Sequence, residues 1–207
     1  MTRSFKNTTV VLLTIFLLVG QNCLSKEIPK LEPIDQYLNS VKTLKSNFIQ
    51  ISQDGNVKTG TFFLKIPNKI RFEYDPPSNH LVLASGFLLV VIDHQSNSEP
   101  QRYLTAQTPI EFLIGKKNKA FLNRAYIKKT FYQPNTLHVI LNDKTNPKLG
   151  ELELVFSFPR IKLIEWKTVS YSGEKTRFLL EDIVKNTPLN DDLFDIGAEI
   201  ANFKRSK

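Results

Sequence analysis

Between Gly60 and Pro77 the chain reads GTFFLKIPNKIRFEYDPP, and its side chains divide by parity. Phe62, Leu64, Ile66, Ile70, Phe72 and Tyr74 fall on one side; Thr61, Lys65, Arg71, Glu73 and Asp75, with Phe63 among them, fall on the other. A period of two is the signature of a strand with one face buried. Pro67 cannot donate to a ladder, so Pro67-Asn68 interrupts the run and the alternation resumes in the same register. This predicts two antiparallel strands joined by a short turn. Asp75-Pro76-Pro77 ends the second strand. The inner side chains are large, and pattern alone leaves open whether they fill a core or line a cavity.

The flanking segments extend the same architecture. Pro33 opens a stretch in which Ile34, Leu38 and Val41, with Tyr37 beside them, recur at helical spacing. From Leu44 the period changes to two, with Leu44, Ser46, Phe48, Gln50 and Ser52 on one parity, and Asp54-Gly55 supplies a hairpin turn. Leu81 to Ala84 and Phe87 to Ile92 read as a further strand pair around Ser85-Gly86, followed by a polar loop from Gln95 to Gln101. Thr108-Pro109-Ile110-Glu111 carries the residues of a helix start, with threonine as cap, proline in the first turn and glutamate three positions on. The helix is expected to run on through Leu113, with Ile110, Leu113 and Ile114 as its apolar stripe. A helix of about two turns is not stable alone, so it must lie on an apolar surface.

Five more strand-like runs follow: 124–132, 136–141, 150–158, 161–171 and 175–184, separated by turn residues. From Asn190 onward the expectation is a short strand or turn and a frayed basic tail. The fold class predicted is therefore mainly β, about ten or eleven consecutive antiparallel strands with few helices. Such a sheet hides one apolar face by curling and by laying helices over it. With so few helices, coverage leaves room for a cavity of lipid size.

Export and charge narrow the function classes. Arg3 and Lys6 precede an apolar run from Thr8 to Gly20, too short for a flanked membrane span and matching a secretory signal peptide cleaved near Ser25. A lipid-anchored reading would need a small residue before Cys23, where Asn22 stands. Cys23 is the single cysteine, so the mature chain from residue 26 has neither disulfides nor thiol chemistry. Its length suits one domain. Losing Arg3 and Lys6 lowers the formal net charge from +8 to +6. That charge serves solubility or steering toward an anionic membrane or acidic protein patch, and export makes nucleic acid an unsuitable partner. Lys116, Lys117 and Lys119 are its tightest cluster. The three histidines, His80, His94 and His138, have no metal-ligand spacing, and there is no Gly-x-Ser-x-Gly elbow or phosphate-cradling glycine loop. The reading is of a non-enzyme without metal or cofactor, an exported hydrolase being the enzymatic alternative.

The ordered set of a signal segment, an amphipathic helix, LKSNFIQ (44–50), GTFFLKIPNKIRFEY (60–74), Ser85-Gly86 and LTAQTPIEFLI (104–114) resembles the LolA family of periplasmic lipoprotein carriers. The resemblance implies a single carrier domain over 26–207, an unclosed antiparallel barrel with helices as a lid over a hydrophobic cavity. It implies an acyl-chain site walled by Phe48, Phe62, Leu64, Ile66, Ile70, Phe72 and Tyr74 and lidded by Ile110, Leu113 and Ile114. The implied partners of this monomer are acylated lipoproteins, the inner-membrane ABC complex that releases them and an outer-membrane lipoprotein receptor. A sensor or receptor domain that binds lipid without shuttling it is the alternative on the same fold. LolA proteins commonly place a lid-latching arginine before the proline of the central stretch; Ile66 occupies that position here, and its side chain cannot donate a hydrogen bond.

Overall fold

The computed structural model describes residues 29–114 and 126–207. The expected signal segment, Cys23 and the Lys116–Lys119 cluster lie outside the described residues. Helix α1 (Glu32–Ser40) leads into strands β1 (Thr43–Ser52), β2 (Val57–Lys65), β3 (Lys69–Tyr74), β4 (His80–Ser85), β5 (Leu88–Asp93) and β6 (Gln101–Leu104). A 3-10 turn (Thr105–Gln107) and the short helix α2 (Glu111–Ile114) follow. Strands β7 (Ile127–Gln133), β8 (Thr136–Asn142), β9 (Glu151–Ser157), β10 (Lys162–Val169) and β11 (Lys175–Lys185) complete the sheet, and helix α3 (Ile196–Arg205) ends the chain.

All eleven strands form one antiparallel sheet in the order β6-β5-β4-β3-β2-β1-β11-β10-β9-β8-β7. Two meanders, β1–β6 and β7–β11, are thus joined by the pairing of the first strand with the last, and β6 and β7 are left as edges of an unclosed sheet. Local chemistry sets the turns. Gly55 takes a φ of +82° between β1 and β2, where the Asp54 carboxylate also accepts from the Asn56 N–H at 3.0 Å. Strand β6 has no counterpart in the sequence reading. Its first residue, Gln101, closes the polar run taken as loop, and its four side chains are all exposed, so no alternation marks it.

The inner face carries the larger core. Ile34, Tyr37 and Leu38 of α1 join Leu44, Phe48, Phe62, Leu64, Ile70, Leu154 and Phe156 from the strands. Burying side chains of this size, at about 25 cal/mol per Å² of apolar surface, is the main favourable term of the fold.

The outer face holds a second core, and here the sequence reading is corrected. Instead of a frayed tail, residues 191–194 form a 3-10 turn and Ile196–Arg205 form α3, capped by the Asp195 side chain accepting from Ala198 N–H at 2.9 Å. Phe194 and Phe203 bury against Phe63, Leu81, Leu83, Val90 and Ile92. That coverage explains why β4 and β5 are apolar on both parities. Ile196, Ile200 and Phe203 were spaced for a helix, but the polar residues between them masked it. Hydrogen bonds from Lys69 and Lys65 clamp Asp191 and hold its carboxyl below the usual range.

Arg71 points to this outer face as expected but is buried, 8% exposed, beneath the C-terminal segment. Its guanidinium donates to Glu73 at 2.6 Å, to Glu199 at 2.7 Å and to the Leu193 carbonyl at 2.8 Å. Arg71→Ala leaves those acceptors half-buried without their donor. A loss of about 2–3 kcal/mol in urea unfolding is expected, with faster hydrogen exchange confined to 191–205. A stability change under about 0.5 kcal/mol would show that Arg71 does not hold the C-terminal helix.

Candidate functional site

Aromatic rings from five strands meet on the inner face. Phe72 of β3 lies 4.8 Å from Phe62 of β2, 5.5 Å from Phe48 of β1 and 5.6 Å from Phe178 of β11, centroid to centroid. Trp166 of β10 stacks on Phe178 at 5.1 Å and contacts Phe62 edge-on at 5.1 Å. Rings at these spacings add packing preference to their burial and form a stiff wall. Tyr74 packs edge-on against Phe48 at 5.0 Å and donates its hydroxyl to the Gln50 side-chain oxygen. Burial pushes the Tyr74 phenol above its ordinary range, so it stays a neutral donor at any physiological pH.

Between this wall and the segment after β6 lies a cavity of about 370 Å³. Phe72, Tyr74, Val82, Leu89, Trp166 and Phe178 line it from the sheet; Pro109, Ile110 and Leu113 line it from above, and Tyr103 of β6 flanks it. Gln50, Thr168, Ser170, Glu174 and Thr176 give it a polar margin. Glu174 is the one charged side chain among the described residues lining it. Apolar walls with a few polar groups at one end suit a ligand with a long apolar part and a polar terminus.

Of the residues singled out from sequence, Phe72, Tyr74, Ile110 and Leu113 line the cavity. Phe48 and Phe62 stand directly behind Phe72, while Leu64 and Ile70 are buried in the adjoining core and Ile66 packs at its edge. Ile114 is buried in the same core. The helix start read at Thr108 is displaced: α2 begins at Glu111, and the Thr108 hydroxyl donates to the Thr105 carbonyl at 3.0 Å, closing the preceding 3-10 turn. Trp166 and Phe178 were missed. A register shift between Leu163 and Glu165 lets Leu163 and Trp166 share the inner face three residues apart, so simple alternation could not place the tryptophan. Phe178 comes opposite Gln50 only through the β1–β11 pairing.

The histidines are dispersed. His80 lies 3.8 Å from Asp93, His94 packs on Phe203, and His138 is bound by Glu153 at 2.6 Å and Thr136 at 2.9 Å. Among the described residues no three His, Cys, Asp or Glu side chains are grouped to hold a metal ion.

Residues 39–197 match the sequence profile of the family described as outer membrane lipoprotein carrier protein LolA. The chain belongs to the LolA family. It is similar to the outer-membrane lipoprotein carrier proteins of two Coxiella burnetii strains, 23% identical over 192 residues and 24% over 197; each alignment covers 89% of this chain and 90% of the relative. Among solved structures it is similar to a LolA superfamily protein from Nitrosomonas europaea, with 13% identity, a TM-score of 0.43 and coverage of 80% of this chain and 97% of the other. A putative outer membrane lipoprotein-sorting protein domain from Vibrio parahaemolyticus aligns with 9% identity and a TM-score of 0.48, covering 82% and 97%.

In this LolA chain the segment over the cavity is fastened through its leading 3-10 turn. Ile66 sits at the β2–β3 turn, its N–H donating to the Lys42 carbonyl at 2.8 Å. The Asn146 side chain, in the β8–β9 connection, donates to the Ala106 carbonyl at 3.1 Å, and the Thr105 N–H donates to the Phe87 carbonyl at 3.0 Å. These two bonds are neutral. Asn146→Ala is expected to speed hydrogen exchange across 105–114 by roughly fivefold, the worth of one neutral hydrogen bond of about 1 kcal/mol. Unchanged exchange there would show that this bond does not fasten the segment.

Proposed function

We propose that this protein is a periplasmic carrier of lipoproteins. It takes the acyl chains of lipoproteins from an inner-membrane ABC release complex and passes them to an outer-membrane receptor. The observation that carries this reading is the apolar cavity between the aromatic wall and the short α2 lid, in a chain that belongs to the LolA family. At about 30 Å³ per water-sized group, 370 Å³ is room for about a dozen methylene-sized groups, most of one long acyl chain. At roughly 0.8 kcal/mol per methylene, such a chain gains on the order of 10 kcal/mol before costs.

A carrier must also let go. The stiff rings cannot close on every methylene, and the lid side chains Ile110 and Leu113 compete for the space the ligand would take.

Native mass spectrometry of the exported protein purified without detergent tests the reading. Acyl-bearing adducts that disappear when a competing acyl ligand is added are expected. A protein that carries no such adduct and binds no fluorescent acyl probe would refute the carrier reading.

A further inference from the structure

The cavity continues past its mouth. Glu174 lines both the cavity and a polar notch of about 510 Å³ at the rim of the sheet, whose other walls include Gln53, Asp54 and Ser172. The notch lies between the β1–β2 turn and the β10–β11 turn. The Gln53 side chain ties those turns by accepting from the Lys175 N–H at 3.1 Å, and within the second turn the Ser170 hydroxyl accepts from the Glu174 N–H at 3.1 Å. Ser52 and Gln53 in turn line a groove of about 380 Å³ on the opposite face, floored by Ile51, Ile140 and Val169.

Along this path the chemistry changes in a fixed order. The cavity is apolar and the notch presents hydroxyl, amide and carboxylate acceptors. The outer groove combines an aliphatic floor with charges most of which are paired: Arg177 grips Glu165 through two bonds of 2.6 and 2.8 Å, and Lys167 reaches Glu153 at 3.3 Å, while Lys175 adds a cation at the notch end. Pairing weakens the groove's pull on a simple ion while leaving hydrogen-bonding groups over an apolar floor. An extended peptide presents alternating side chains and free N–H and C=O groups, and fits that lining. From Ile51 on β1 to Ile140 on β8 the groove crosses four strand spacings, about 19 Å, the reach of about six extended residues.

We propose that cavity, notch and groove form one track for an acylated polypeptide. The acyl chain lies inside, the polar linkage at the acylated residue lies in the notch, and about six following residues lie along the outer groove. The inference rests on the carrier reading of the cavity and adds that the protein distinguishes lipopeptide from free lipid. Asp54 and Glu174 at the notch favour the N–H donors of such a linkage over the carboxylate of a free fatty acid.

Displacement of a fluorescent acyl probe by palmitamide and by a palmitoylated neutral hexapeptide tests this on the exported protein. The hexapeptide ligand is expected to bind at least about tenfold more tightly than palmitamide. Ile140→Asp, on the groove floor, is expected to cut that advantage to about twofold while leaving palmitamide affinity unchanged, whereas Ser172→Trp, at an exposed turn position that fills the notch, is expected to weaken both ligands. Equal affinities in the parent overturn the track and leave the cavity reading standing. Parallel losses of both ligands in folded Ile140→Asp also overturn it, since the effect would then lie in the cavity. Failure of the hexapeptide ligand alone overturns the track, and failure of both ligands to displace the probe refutes the cavity reading with it.

Discussion

Phe72→Glu is expected to abolish acyl binding. Phe72 lines the cavity and packs against Phe48, Phe62 and Phe178 at centroid distances of 4.8–5.6 Å, so a carboxylate there would be largely desolvated with no cation among its described ring neighbours. Desolvation of an unpaired charge costs several kcal/mol, and the new carboxyl responds by titrating well above its usual range. Two consequences are measurable with a fluorescent acyl probe. At neutral pH affinity falls by about a hundredfold or more, and part of it returns as the pH is lowered and the group becomes neutral. Glu73→Gln, on the outer parity, keeps its acceptor for Arg71 and should bind as the parent does. Because Phe72→Glu could also loosen the core, Ile110→Glu provides a second probe of the same cavity from its half-buried lid. Full affinity in both folded variants would place the acyl site elsewhere.

Gly60→Ala is expected to cost about 3 kcal/mol or more, a large part of the 5–15 kcal/mol that holds a domain together. A β-carbon at position 60 would stand 2.0 Å from the Glu73 carbonyl oxygen and 2.8 Å from the edge of the Phe48 ring. The carbonyl is backbone, so β2 and β3 must part, and Tyr74, which pairs opposite Gly60, would lose its place at the cavity. Gly55→Ala is the comparison: space there is open, but the φ of +82° disfavours alanine, a cost of about 1 kcal/mol. Urea midpoints decide between crowding and backbone freedom. If Gly60→Ala proves no more destabilised than Gly55→Ala, close strand approach is not what position 60 requires.

Glycine at 60 already opens the stretch on which the sequence reading is built, yet its reason is visible only in three dimensions. Steric demand across strands has no local signature, whereas the alternation beside it does. The parity of 62–74 determined which side chains turn inward because strand geometry repeats every two residues whatever the rest of the chain does. Pro67-Asn68 and Asp54-Gly55 determined the turns for an equally local reason, and the Ile34, Leu38 and Val41 spacing determined α1.

What the sequence by itself determined is therefore the set of elements with strong local period and, for most of them, which face is apolar. Only the tertiary structure decided which faces meet. The β1–β11 pairing joins residues more than a hundred positions apart and brings Phe178 beside Gln50; a register shift turns Trp166 inward; and α3 covers an outer face that alternation alone assigns to water. Each depends on contacts between distant segments, whose entropy of closure and area of burial are properties of the assembled sheet and leave no periodicity in any one stretch.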